Sequence, residues 1–112
     1  MPLPKKYRLT SKKDFKDVFT KGKTVKNSFF YCRILKNSIG YARIAIVVPN
    51  KTVKSSVSRN RIRRLVSEAL KDFKFQSYPL DIVIVWSGDI VNKLHKEIKS
   101  EIDKVINKII SQ

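Results

Sequence analysis

The sequence predicts an α/β two-layer sandwich, a mixed sheet of three to four strands with helices packed on it, in the order α-β-β-α-β-α. Three observations lead there. Apolar residues recur at helical spacing in three segments and at alternating or continuous spacing in three others. The strand, helix and strand from Tyr41 to Trp86 read as a βαβ crossover, and two strands before it are expected to pair as a hairpin. The length of 112 residues suits one compact domain spanning 1–112.

Residues 1–10 form a basic, Pro-containing arm without periodicity, expected to be extended and partly ordered. A short helix follows from Ser11, whose hydroxyl can cap it, and Asp14 three residues on completes a capping box. Phe15, Val18 and Phe19 give it one narrow apolar stripe, and Gly22 ends it. There is room for a short extra strand near Thr24–Lys26. Ser28 to Leu35 then alternates Phe30, Cys32 and Ile34 with Phe29, Tyr31 and Arg33. Asn37 to Gly40 is a turn, Tyr41 to Val48 a strand, and Pro49 stops its ladder. A helix over about Ser56 to Phe73 turns Ile62, Leu65, Val66, Ala69, Leu70 and Phe73 to one side. Leu80 to Trp86 is apolar throughout and reads as a buried central strand. Asp89 or Ser87 caps a last helix to about Ile110, with Val91, Leu94, Ile98, Ile102, Val105 and Ile109 inward.

Charge narrows the function. Lys and Arg total 25 against 9 Asp and Glu, a net charge of +16 at pH 7. Such an excess repels itself and points to a polyanionic partner. No stretch approaches the roughly 18 apolar residues of a membrane span, and the first residues lack the apolar core of a secretory signal. The lone cysteine, Cys32, has no partner for a disulfide or zinc and reads as a small core residue, which fits the reducing cytoplasm. Own-side-chain catalysis is not expected. The single histidine, His95, sits on the outward side of a Lys-rich helix, and Asp14, Asp17, Glu68, Asp72, Asp81 and Asp89 are scattered without metal-ligand spacing.

The informative segment is Lys51 to Glu68, KTVKSSVSRNRIRRLVSE, Arg-rich where the rest of the chain is Lys-rich. Guanidinium groups bond phosphates bidentately and stack on bases, which ammonium groups cannot do. On a helix, Asn60, Arg61, Arg63, Arg64 and Ser67 cover the faces away from the apolar stripe, with Arg59 at the border. Arg59 to Leu65 and then Glu68-Ala69, behind Lys51 and Lys54, resemble the Arg-Asn-Arg signature of the protein subunit of bacterial ribonuclease P. Tyr7 to Leu9, Asp14-Phe15, Val18-Phe19, Gly22-Lys23 and the Asp81 to Val83 strand extend the resemblance over nearly the whole chain, in order.

The resemblance implies a protein without catalytic residues of its own. It would bind a catalytic RNA and the single-stranded 5′ leader of precursor tRNA, one protein per RNA, while the RNA hydrolyses the phosphodiester bond with Mg²⁺ held mainly by RNA. It also implies a left-handed βαβ crossover, against the usual right-handed rule. Leader binding falls to Phe15, Phe19, Tyr31, Arg33, Arg59, Asn60 and Arg63, and binding of the catalytic RNA to Lys51, Lys54, Arg61 and Arg64. Phe15 and Phe19 read equally as core and as cleft wall, and one exposed ring edge would serve both. Arg33 stands where the family often has an aromatic residue, and Ser67 where it commonly has arginine. Ser67 is open between a hydroxyl donor to phosphate and a plain solvated residue. The alternative is a general basic RNA-binding or ribosome-associated protein without a processing role. A DNA-binding helix-turn-helix lacks its first helix, and a stand-alone nuclease lacks its acids and metal ligands.

Overall fold

In the computed structural model, which describes residues 3–26, 30–87 and 95–110, the chain runs through α1 (Lys12–Lys21), β1 (Lys23–Lys26), β2 (Phe30–Lys36), β3 (Arg43–Val47), α2 (Ser56–Ala69), β4 (Leu80–Trp86) and α3 (His95–Ile110). The strands form one mixed sheet in the spatial order β1-β2-β4-β3. β1 and β4 both pair antiparallel with β2, while β3 pairs parallel with β4. The extra strand near Thr24–Lys26 is therefore a full member of the sheet.

The antiparallel pair ahead of the crossover is β1 with β2. No hairpin joins β2 to β3, because β4 is inserted between them. The cause is the composition of β4. Asp81 to Trp86 is buried on both faces, and such a strand is stable only in the middle of a sheet with helices or side chains over each side. The turn between β2 and β3 is still tight at its tip: Asn37 Oδ1 accepts from the Ile39 N–H, and Gly40 takes the left-handed region at φ 88°.

Alternation along the strands sorts the apolar residues onto two faces. Phe30, Cys32, Ile44, Ile82, Ile84 and Trp86 meet Ile62 and Val66 of α2, Leu70 just past its end, and Ile102 and Val105 of α3 in the main core. Val83 and Val85 point the other way and meet Val18 of α1, Leu9 of the arm and the half-buried Phe15, Phe19 and Tyr31. The helices are thus divided between the faces, with α1 a partial third layer. Burial of Cys32 pushes its thiol up to about 12.

Local chemistry sets the ends. Ser11 accepts from the Asp14 N–H at 3.3 Å, the first half of the expected capping box. The Asp14 carboxylate instead reaches Arg43 Nη1 at 3.1 Å. Gly22 closes α1 with ordinary φ, so its need is space: a Cβ there would lie 2.4 Å from the Val18 carbonyl oxygen and 2.8 Å from that of Ile34. Helix α2 begins behind Ser55, which accepts from the Ser58 N–H, and stops at Ala69, earlier than the periodicity suggests. Phe73 follows in an irregular stretch and packs its ring edge-on against Phe75 at 4.9 Å.

The arm is more ordered than expected. Leu3 and Leu9 are buried, Lys5–Tyr7 makes a 3-10 turn, and the Leu9 N–H donates to the Ile44 carbonyl on the edge of β3. No described helix is long and apolar enough to cross a membrane. Asp89, Val91, Leu94, Phe29 and the side chains of His95, Ile98 and Ile109, all invoked from sequence, lie outside the described residues.

Candidate nucleic-acid interface

Helix α1 lies on the face of the sheet opposite α2 and α3, against β2 and β4. Its i, i+4 spacing stacks Phe15 over Phe19, with ring centroids 5.0 Å apart at a tilt of 38°. Both rings are half-buried. Tyr31 rises from β2 on the same face, and Phe19, Tyr31, Thr24, Lys26 and Arg33 line an open depression of about 440 Å³. Aromatic rings beside cations are what a single strand of nucleic acid requires, since each base offers a π-face and each link a phosphate.

Arg33 is bound up within that wall. Its Nη1 donates to Thr24 Oγ1 at 2.6 Å, and its Nη2 donates to the Phe19 carbonyl.

Helix α2 packs on the opposite face and reaches the flank of β3. From β2 to β3 is two strand spacings, about 10 Å, floored by Val83 and Val85 of β4 and Ala45 and Val47 of β3. Arg63 and Ser67 of α2 border a second depression of about 300 Å³ with Arg8, Leu9 and Ile44 to Ile46. Arg63 Nη1 donates to Asn60 Oδ1 at 3.0 Å, which orients the exposed pair together. Ser67 is buried, contrary to a solvated serine, because the arm packs over that flank of α2. Arg59 is half-buried, and its Nη1 donates to the carbonyls of Val53 and Lys54 at 3.0 and 2.8 Å. It therefore shapes the loop that presents Lys54. Arg61 and Arg64 are exposed on the outward flank of α2, and Lys51 and Lys54 are exposed beside it.

The predicted residues thus fall into groups. Phe15, Phe19, Tyr31 and Arg33 gather around α1 and β2; Asn60 and Arg63 sit across the sheet beside β3; Arg61, Arg64, Lys51 and Lys54 face outward. The structure does not place the last four on the concave face.

One organised cluster was missed from sequence. The buried Asp81 carboxylate takes a bidentate pair from Arg43, Nε to Oδ1 at 2.9 Å and Nη2 to Oδ2 at 2.7 Å, plus Asn37 Nδ2 at 2.8 Å. Asp14 adds its ion pair from α1. The hydrogen bond to Asp81 raises Arg43 above the ordinary arginine range, with burial opposing it and both carboxylates adding attraction. The signal available was a lone carboxylate at the head of an apolar strand, which demands a buried partner. This network ties the foot of α1 to β3 and β4. Among the described residues no three His, Cys, Asp or Glu side chains could hold a metal ion together.

Comparison with known proteins gives a consistent result. The family model described as Ribonuclease P matches residues 3–110. A ribonuclease P protein component from Clostridium botulinum is 31% identical over 109 residues, covering 93% of this chain and 95% of the relative. One from Streptococcus thermophilus is 29% identical over 104 residues, 93% of each. The solved ribonuclease P protein of Staphylococcus aureus superimposes with a TM-score of 0.81 at 26% identity, over 92% of this chain and 94% of that one. That of Thermotoga maritima shares the fold, with a TM-score of 0.79 at 24% identity over 90% and 96%.

Proposed function

The chain belongs to the ribonuclease P protein family, and from that premise we propose that it holds the 5′ leader of precursor tRNA while an RNA subunit carries out the cleavage. As a family member it is a tRNA-processing subunit of an endoribonuclease complex and a partner of ribonuclease P RNA. The observation that supports the leader assignment is the grouping of the Phe19 and Tyr31 rings with Lys26 in one depression, with Arg63 on a second depression beside β3.

In this reading Phe15, Phe19 and Tyr31 offer ring faces to leader bases, and Arg63, oriented by Asn60, meets leader phosphates. Arg59 acts at the same edge by shaping the loop. Arg61, Arg64, Lys51 and Lys54 meet the catalytic RNA, one protein per RNA. Affinity comes from stacking at about 1–3 kcal/mol per base and from counterion release, so it is sequence-tolerant and salt-sensitive. A subunit serving many precursors needs that tolerance. The acids near the face do not suit a metal, since Asp14 and Asp81 are both engaged by Arg43. In this reading Mg²⁺ is held mainly by the RNA, and the complex works in the cytoplasm.

The test is cleavage of a precursor tRNA at low Mg²⁺ by a bacterial ribonuclease P RNA, with and without this protein. Restored 5′ leader removal, with the protein inert alone, supports the reading. Binding to the RNA without rescue returns the chain to a general RNA-binding role.

A further inference from the structure

Three features of the seam between α1 and β2 converge on Arg33. The first is where its donors go. Arg33 leaves β2 on the face of Tyr31, yet Nη1 is held by Thr24, its register partner on β1, and Nη2 by the Phe19 carbonyl. The second is burial: Nε is buried with no hydrogen-bond partner among the described residues. Both Nη atoms are thus committed to the wall and Nε is buried, although the group still lines the depression. The third is the end of α1. The Phe19 carbonyl is among the last of the helix, where no intrahelical N–H completes the ladder. A cation there also meets the negative end of the helix dipole. Gly22 lets that end sit directly against the Ile34 backbone.

We propose that Arg33 is a positioning residue: it pins the end of α1, and with it the Phe19 ring, against the β1–β2 pair, and does not itself meet the leader's phosphates. The proposal rests on the leader-cleft reading above and revises the role that the resemblance implies for Arg33. The residue of Phe19 is both the ring in the cleft and the carbonyl that Arg33 holds, so loss of the guanidinium acts on the ring through its own backbone. Lys26 is then the cation that faces the strand at this edge, because it is exposed on the rim of the same depression.

Salt dependence separates the two roles. A side chain that neutralises a phosphate of a single strand contributes about 0.7 to the slope of log K against log salt, whereas a positioning residue contributes nothing. The full chain is assembled with a bacterial ribonuclease P RNA, and binding of precursor and mature tRNA is followed between about 50 and 200 mM salt. Arg33→Met is expected to weaken precursor binding about three- to tenfold, part of the worth of one stacked base. Mature tRNA binding stays the same, the salt slope is unchanged, and little further is lost when Arg33→Met is added to Phe19→Ala. Lys26→Met is the comparator whose slope falls. A reduced slope for Arg33→Met, with loss additive to that of Phe19→Ala, overturns the proposal, as does equal loss on both tRNAs. If Phe19→Ala leaves the preference for precursor intact, the leader-cleft reading itself fails. The anchor is then judged in the free protein, where Arg33→Met must speed hydrogen exchange at the Gly22 amide several-fold; unchanged exchange there overturns it as well.

Discussion

Cys32 and Arg33 are neighbours on β2, yet one is sealed beneath α2 and α3 and the other lies in the wall of an open depression. The same division runs across β4, where Ile82, Ile84 and Trp86 enter the main core and Val83 and Val85 floor the concave face. Two long helices cover the first face, while among the described residues the ten of α1, with Leu9 of the arm, cover part of the second. A sheet buried on both sides would be more stable. Leaving one side half-covered keeps Phe15, Phe19 and Tyr31 exposed enough to stack, with the underlying apolar floor still mostly shielded from water. On the proposed leader reading, stability and binding fall to alternate residues of the same strands.

Substitutions on the two faces should separate accordingly. On the sealed face, Trp86→Ala is expected to cost about 3–5 kcal/mol in urea unfolding, as deletion of a fully buried aromatic does; a cost below 1 kcal/mol would show that this face is not the core. Cys32 gives the same face a chemical probe. With its thiol raised to about 12, the folded chain should resist alkylation at pH 8 and react only as denaturant opens it. The sign follows from linkage: the unfolded thiol ionises first, so stability declines as pH climbs from about 9 toward 12.

At the seam between the faces, Gly22→Ala forces a Cβ against two backbone carbonyls that cannot swing away. It should cost about 1–3 kcal/mol by overpacking and also lower precursor affinity; a neutral change would mean that α1 can shift freely on β2. On the open face, Phe19→Ala should remove about 1–3 kcal/mol from precursor tRNA binding and spare mature tRNA. Equal loss on both would sink the leader cleft. The smallest effect belongs to Arg61→Ala, which lies on neither face. It should lower the salt slope of assembly with the RNA subunit by about 1 while leaving the preference for precursor unchanged, and an unaltered slope would remove Arg61 from the RNA contacts.

Much of this was legible in the chain because it depends on local period. The helical stripes of α1 and α2, the alternation of Phe30 to Ile34, the unbroken apolar run of β4 and the Arg-rich segment after Ser55 all follow from residue spacing. The neighbour of each strand was not legible. Asn37 to Gly40 has the composition of a hairpin turn, and only the two-faced burial of β4 tells that a third strand must come between β2 and β3. Guanidinium targets were hidden for a similar reason. Arg33 and Arg59 bond carbonyls of Phe19, Val53 and Lys54, and a carbonyl leaves no mark in the sequence. Ser67 looked like surface because the arm that covers it has no period of its own.

The docked arm has a further consequence for the chain as a solute. A sheet in the order β1-β2-β4-β3 has two outer strands, and unpaired backbone along an outer strand is a template on which a second copy can extend the ladder. On β3 the arm occupies that position, bridging through Arg8 and Leu9 to Ile44. On β1, Lys23 and Lys26 stand exposed at either end of a strand only four residues long, so an approaching copy meets like charge. One edge is plugged and the other is charged and short, which guards a protein built to meet a polyanion against fibrillar self-association before its partner is present.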